Sequence, residues 1–247
     1  MPIITFISDF GDRDWFVAAV KGQILRANPK ATVIDITHRI APHDVRSAAF
    51  VVRSTYLDFP PATVHLVVID PGVGSTRKPI IVQSQDYVFV GPDNGVFSYI
   101  LTDTSRVFAI DVAGEVSTTF HARDIFAPTA GRLSRGEEPK NLGTTISDYV
   151  RFSFPGIQTT GKEVHGEIIY IDHFGNLITN IPISTAVTSV HIAKQQIAVK
   201  KCYAEVHQGD LIVVKGSAGF YEIAANMASA KSILGASTGM RIVAVAA

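Results

Sequence analysis

The sequence is short of the residues that staple, ligate or anchor a protein. It holds one cysteine, Cys202, which excludes an intrachain disulfide and a cysteine-rich metal site. Neither sign of charge dominates, with 22 Lys and Arg against 22 Asp and Glu in 247 residues. No run of basic residues occurs either, so nothing in the charge pattern calls for a nucleic acid or an anionic membrane. No apolar stretch approaches the roughly 20 residues that span a bilayer. Ser8 and Asp9 break the apolar start, which lacks the pattern of a signal peptide. A cytoplasmic protein without membrane or nucleic-acid partners is expected. Familiar catalytic signatures are missing as well. The eight histidines show no zinc spacing, and GxSxG, GxGxxG and the Gly-Lys-Ser/Thr phosphate loop are absent. His38 and His43, close to Asp44, come nearest to a metal-binding group; no metal and no cofactor are expected.

What is present is ample apolar material, 47% of residues, arranged in two styles. Up to about residue 136, strand and helix patterns alternate. Pro2–Ser8, Thr32–Thr37, Thr63–Ile69, Ile80–Gln83, Tyr87–Val90 and Val107–Val112 read as strands. Trp15–Ala27, Val45–Leu57, Val96–Leu101 and Ile125–Leu133 read as helices, the second with Asp44 as its N-cap. Residues 136–162 are rich in Gly, Pro, Thr and Ser and show little periodicity. From Val164 onward short strands alternate with turns. The expected architecture is α/β over residues 1–160, linker included: a doubly wound, mainly parallel sheet with helices on both faces. A smaller all-β barrel domain is expected over 161–247.

Asp9 and Asp70 follow the first and third strands, where open α/β sheets collect ligands. Each suits a pair of ribose hydroxyls, since one carboxylate has two acceptor oxygens; each also suits a turn cap. The stretch Asp70-Pro71-Gly72-Val73-Gly74-Ser75-Thr76-Arg77 says more. Pro71 restricts Asp70 to extended geometry, and the glycines permit tight reversal. Arg77 then lies far enough along to fold back on the carboxylate. An active-site loop and a plain turn with a surface ion pair both fit. His121 precedes a helix, and an isolated histidine is more often structural. Further on, Ile171-Asp172-His173-Phe174-Gly175-Asn176 interrupts two strands. It reads as an Asx-rich hairpin turn or as a site for a planar base, with Phe174 stacking and Asn176 hydrogen-bonding.

SDFG at 8–11, DPGVGSTR at 70–77, GPDNG at 91–95, TFHARDIFAP at 119–128 and IDHFGNLITN at 171–180 resemble, in this order, the S-adenosyl-L-methionine hydroxide adenosyltransferases. That family hydrolyses S-adenosylmethionine to adenosine and L-methionine and is related to fluorinating and chlorinating enzymes. The resemblance implies a homotrimer whose sites lie at subunit interfaces. It implies a hydrolytic set of Asp70, Arg77 and His121; the mechanism expected of that set has Asp70 and His121 orient a water and accept its proton while Arg77 keeps Asp70 ionised. It also implies ribose binding by Asp9, ammonium binding by Asp172, adenine reading by Asn176 and an adenosyl pocket lined by Phe174. Ser217 would approach the methionine carboxylate, and the backbone at Met227, after Asn226, the adenine edge. Ala218 stands where the halogenating relatives carry Arg. Those relatives lack the Asp-Arg-His set, which makes water the expected nucleophile. The readings set against hydrolysis are a non-catalytic binder of S-adenosylmethionine or adenosine, and a halide-dependent adenosyl transferase.

Overall fold

A computed structural model describes residues 2–247. The chain divides into two compact units, one ending at Ser153 and the other starting at Phe154. The first contains β1 (Ile3–Ser8), α1 (Phe16–Ala27), β2 (Thr32–Thr37), α2 (Val45–Thr55), β3 (Val64–Val68), β4 (Pro79–Ser84), β5 (Tyr87–Pro92), β6 (Arg106–Ile110), α3 (Ala127–Ser134) and β7 (Gly143–Ile146). The second contains β8 (Gln158–Thr160), β9 (Glu163–Ile171), β10 (Leu177–Pro182), β11 (Val187–Ile192), β12 (Gln195–Ala198), β13 (Leu211–Lys215), β14 (Phe220–Ala225), α4 (Ala230–Leu234) and β15 (Arg241–Ala246).

The first sheet runs β2-β1-β3-β5-β4-β6-β7. Alternation along the central strands sends neighbouring side chains to opposite faces. Ile4, Phe6, Leu66 and Val68 join Val20, Ile24, Ala127 and Ala130 in a core under α1 and α3. Ile7, Val67 and Ile69 join Ala48 and Val52 of α2, with Val96, Phe97 and Ile100, in a second core on the other face. Being covered twice, β3 is apolar almost throughout and wholly buried.

The mainly parallel expectation needs correction. β2, β1, β3 and β5 are parallel, but β4, β6 and β7 join by antiparallel pairing. Only Gln85 and Asp86 separate β4 from β5, and a parallel crossover needs about a dozen residues. The expected helix at Val96–Leu101 is a series of tight turns, closed by Ser98 N–H to Gly95 O and Ile100 N–H to Phe97 O. Asp44 does cap α2, its Oδ1 accepting the Ser47 amide at 2.9 Å.

The second unit is one antiparallel path, β12-β11-β15-β9-β10-β14-β13. A bridge between Val199 and Val213 links its two ends into a nearly closed barrel. It is not all β, because the short helix α4 follows β14. Among the described residues, no helix is long and apolar enough to cross a membrane.

A buried histidine lies deep in the first unit. His65 on β3 faces Thr5 on β1, and its Nδ1 meets Thr5 Oγ1 at 2.8 Å. The ring is 1% exposed and stacks on Phe89 at 4.9 Å. Burial pushes its pKa down to about 4, against about 6.5 in an unfolded chain. Between those values the unfolded chain binds the extra proton, so stability falls as pH falls from about 6.5 towards 4. The expected loss is on the order of 3 kcal/mol. Thermal unfolding of wild type and His65→Gln across this range checks it: the difference in slope should vanish at neutral pH and widen on acidification.

Candidate active site

Ser8 of β1 lies opposite Val68 of the parallel strand β3. Asp9 and Asp70, just beyond these residues, therefore emerge together at the carboxyl edge of the sheet. Asp9 is 10% exposed at its side chain, and its Oδ2 accepts the His43 amide at 2.9 Å. That amide belongs to a strained segment, since His43 has φ +69°.

After Pro71 the chain reverses in two tight turns, Val73 N–H to Asp70 O and Ser75 N–H to Gly72 O. Gly74 has φ +76°, and a β-carbon there would stand 2.3 Å from the carbonyl oxygen of Thr118. This reversal carries Arg77 back onto Asp70. Arg77 Nε donates to Oδ1 at 2.8 Å, and Nη2 donates to Oδ2, forming a two-pronged ion pair. Both side chains are below one-tenth exposed.

Arg77 Nη2 also meets His121 Nδ1 at 2.7 Å. A guanidinium only donates, so Nδ1 must accept; the imidazole is neutral and carries its proton on Nε2. Burial lowers the His121 pKa, and the Arg77 charge lowers it further. His121 opens a π-helical turn, Ala122–Phe126, in which Ala127 N–H reaches back to Ala122 O. The cause is Pro128, whose ring crowds the carbonyl four residues earlier and offers no N–H. Asp124, held by Arg123, accepts the Ser117 amide and so fixes the approach to His121.

Asp9, Asp70 and His121 line one cavity of about 290 Å³ with Phe10, Phe16, Phe120 and His43. In the second unit, Asp172, Phe174, Asn176, Ser217, Asn226 and Met227 line another, of about 690 Å³. All ten residues singled out from the sequence thus fall into two groups: Arg77 stands behind the first cavity, and the second group is complete.

The 172–176 segment is both an Asx turn and a cavity wall. Asp172 Oδ1 accepts the amides of Phe174 and Asn176, and Oδ2 accepts Asn176 Nδ2. Gly175, at φ +83°, packs so closely on Ser229 that a β-carbon would meet its Oγ at 2.1 Å. Ser229 is the N-cap of α4, so the short helix braces the turn. Asn226 spends its side-chain amide on Val206 O. Phe174 and Met227 are 73% and 82% exposed.

Two residues here escaped the sequence reading. Glu222 of β14 and Tyr203 line the same cavity, and Tyr203 Oη donates to Glu222 Oε1 at 2.7 Å. Burial raises the Glu222 pKa, and the Asp172 charge adds to the rise. The Tyr203 hydroxyl is pushed up by burial and by Glu222. Two carboxylates facing one cavity suit a cationic ligand. Elsewhere, His38 binds Ser8 Oγ, and Asp44 is spent on capping. Among the described residues no cluster of three His, Cys, Asp or Glu could hold a metal ion.

Comparison with known proteins decides the family. The model of the SAM hydroxide adenosyltransferase N-terminal domain matches residues 4–143, and that of the C-terminal domain matches 166–243. The chain belongs to the SAM hydroxide adenosyltransferase family. It is 34% identical to the (R)-S-adenosyl-L-methionine hydrolase of Thermus thermophilus, over 98% of this chain and 99% of that protein. The hydrolase of that name from Salinispora tropica is also 34% identical, over 98% and 97%. A fluorinase of Actinoplanes sp. is 29% identical over 73% of this chain and 72% of its own. Among solved structures, an uncharacterized conserved protein from Thermotoga maritima superposes with a TM-score of 0.90 at 35% identity, covering 98% of this chain and 99% of that one.

The tautomer argument has a direct check. An NMR titration of the His121 ring should give a midpoint below the ordinary histidine value. Arg77→Gln should raise that midpoint, because Asp70 and Asp124 then act on the ring without the opposing cation.

Proposed function

We propose that this protein hydrolyses S-adenosyl-L-methionine to adenosine and L-methionine by in-line attack of water on the 5′ carbon. The observation that carries the reading is the Arg77 guanidinium joining Asp70 to His121 beside the cavity that also holds Asp9. A non-catalytic binder has no need of that arrangement.

The sulfonium already provides a neutral leaving group, so the protein has to position water and take its proton. The oxygen–carbon bond forms as the carbon–sulfur bond breaks, and the electron pair stays on sulfur in methionine. Asp70 takes the proton and passes it to solvent. His121 differs from the role expected from the sequence: with Nδ1 occupied by Arg77, it serves as an Nε2–H donor that orients the water. Arg77 holds both carboxylate oxygens in place and the ring in the right tautomer. Asp9 takes the ribose hydroxyls. In the second unit, Asp172 and Glu222 attract the ammonium, Asn176 and the backbone at Met227 read adenine, Phe174 covers the adenosyl group, and Ser217 meets the methionine carboxylate. No metal or cofactor enters the scheme.

At about 290 Å³ the first cavity sits at the lower limit of small-molecule sites. Exposed Phe174 and Met227 border the other cavity. Together these features support a homotrimer in which one subunit's first unit and the next subunit's second unit share each substrate. Light scattering tests that assembly, and a cytoplasmic location is part of the same reading.

Purified protein should be supplied with the (R) and (S) sulfonium epimers separately, and the epimer that reacts should give adenosine and methionine in equal amounts. The relatives' names make the (R) epimer the one expected to react. Substrate retained unchanged means a binder; 5′-chloro-5′-deoxyadenosine formed with chloride means halide transfer. Asp70→Asn should lower kcat by about 100-fold or more, and adenosine release at the wild-type rate by a folded variant would sink the mechanism. The kcat should persist below the ordinary histidine pKa and fall when His121 protonates and loses Arg77. Glu222→Gln should raise KM with little change in kcat. The KM of wild type should rise on acidification as Glu222, with its raised pKa, loses its charge.

A further inference from the structure

We infer that the turn Asp93–Gly95 clamps the catalytic loop and that Asn94 is a positioning residue for Asp70, an inference that rests on the hydrolytic reading above. The turn belongs to the motif GPDNG, whose residues line neither cavity. Its connections run to the loop's two ends. The parallel ladder between β3 and β5 has its last pair at Leu66 and Val90. Gly91 still lies close, where a β-carbon would be 2.3 Å from Val67 O. On its other edge β5 stays paired with β4 to the end, Gly91 and Pro92 lying opposite Ile80 and Pro79, while the pairing with β3 has stopped. The carbonyl of Ile69, a wholly buried residue, lies past the end of that ladder. Asn94 Nδ2 supplies the donor at 2.7 Å, one residue before Asp70. The Asp93 amide donates to Lys78 O at 2.9 Å, one residue after Arg77.

The clamp is itself held rigid. Asn94 Oδ1 accepts the Val96 amide at 3.2 Å, and Asp93 Oδ1 accepts the Val150 amide at 2.8 Å. Gly95, at φ +91°, lies so near the Phe152 ring that a β-carbon would stand 2.6 Å from it. Without the Asn94 donor the Ile69 carbonyl must turn to find another, because a buried acceptor left unpaired is costly. The peptide that turns is the one entering Asp70. A shift of about 1 Å in a reacting group costs roughly 100-fold in rate.

Asn94→Asp tests this, since it keeps the shape and sets an oxygen against Ile69 O. The kcat should fall about 10- to 100-fold with KM nearly unchanged, because the turn touches neither cavity. On acidification the new carboxyl gains a proton that it can donate to Ile69 O, so the ratio of variant to wild-type kcat should climb. Asn94→Ala should lose kcat without that acid recovery. In substrate-free Asn94→Asp, the His121 titration should move up as Arg77 withdraws from Nδ1. A kcat within twofold of wild type with an unmoved His121 titration overturns the inference, as does a loss in Asn94→Asp that is constant with pH. If wild type itself releases no adenosine, the hydrolytic reading falls, and the His121 titration still decides the clamp. Should Asn94→Asp fail to fold, Asn94→Ala with the same titration and the kcat-against-KM comparison takes its place.

Discussion

One guanidinium serves two partners. Arg77 grips both oxygens of Asp70 and, with a shared nitrogen, the Nδ1 of His121. Most of what is unusual nearby exists to let it do so. Pro71 and the glycines after it return the chain within a few residues, and Gly74 brings the loop within contact of Thr118, upstream of His121. The π-helical turn before Pro128 sets where His121 stands. The three reach one place from different parts of the chain, and a longer or straighter loop would separate them. Ionisation follows from the same contact. Burial makes the His121 imidazole a poor base, and the guanidinium it accepts from weakens it further.

Charge is divided between the units in a way that suits a cationic ligand. In the first unit, the Asp70 carboxylate is matched by Arg77, and Phe10, Phe16 and Phe120 line the cavity. In the second, Glu222 and Asp172 have no cationic partner among the described residues; burial and the Asp172 charge raise the cost of ionising Glu222, to which Tyr203 is attached. Such a pair is strained until a positive group arrives, so cation binding and proton release are linked. The Asp70 carboxylate is spared that competition because Arg77 already pairs with it.

The sequence was legible where the signal was periodic or local. Two-sided burial made β3 a continuous apolar run, and the spacing from Asp70 to Arg77 allowed the loop to close. The β4–β5 hairpin was missed in favour of a mainly parallel sheet, although the loop between the strands is too short for a crossover; loop length carries that information and hydrophobicity does not. Val96–Leu101 has helical spacing without being a helix, because Gly95 and its packing against Phe152 impose turns. The helix α4 is too short to show a period. Glu222 and Tyr203 lay beyond reach for another reason. Each is a single residue in an ordinary stretch, and only the pairing of β13 with β14 and the turn at Tyr203 bring them to one cavity. The pairing of His121 with Arg77 likewise had no local signature and rested on the family resemblance.

The proposed mechanism gives the water's proton to a carboxylate, which looks like a poor choice for activating water. The substrate class resolves the difficulty. A sulfonium leaves as a neutral thioether, so carbon–sulfur cleavage does not require a fully formed hydroxide at the start of the reaction. Proton loss can follow oxygen–carbon bond formation, when the attacking oxygen has become strongly acidic and even a weakly basic carboxylate will accept. What the site must then provide is alignment, and large effective molarities reward alignment. This places the premium on rigidity in the Asp70 loop over basicity in Asp70. It also explains why so much of the hydrogen bonding around the loop is committed to backbone groups that never meet the substrate.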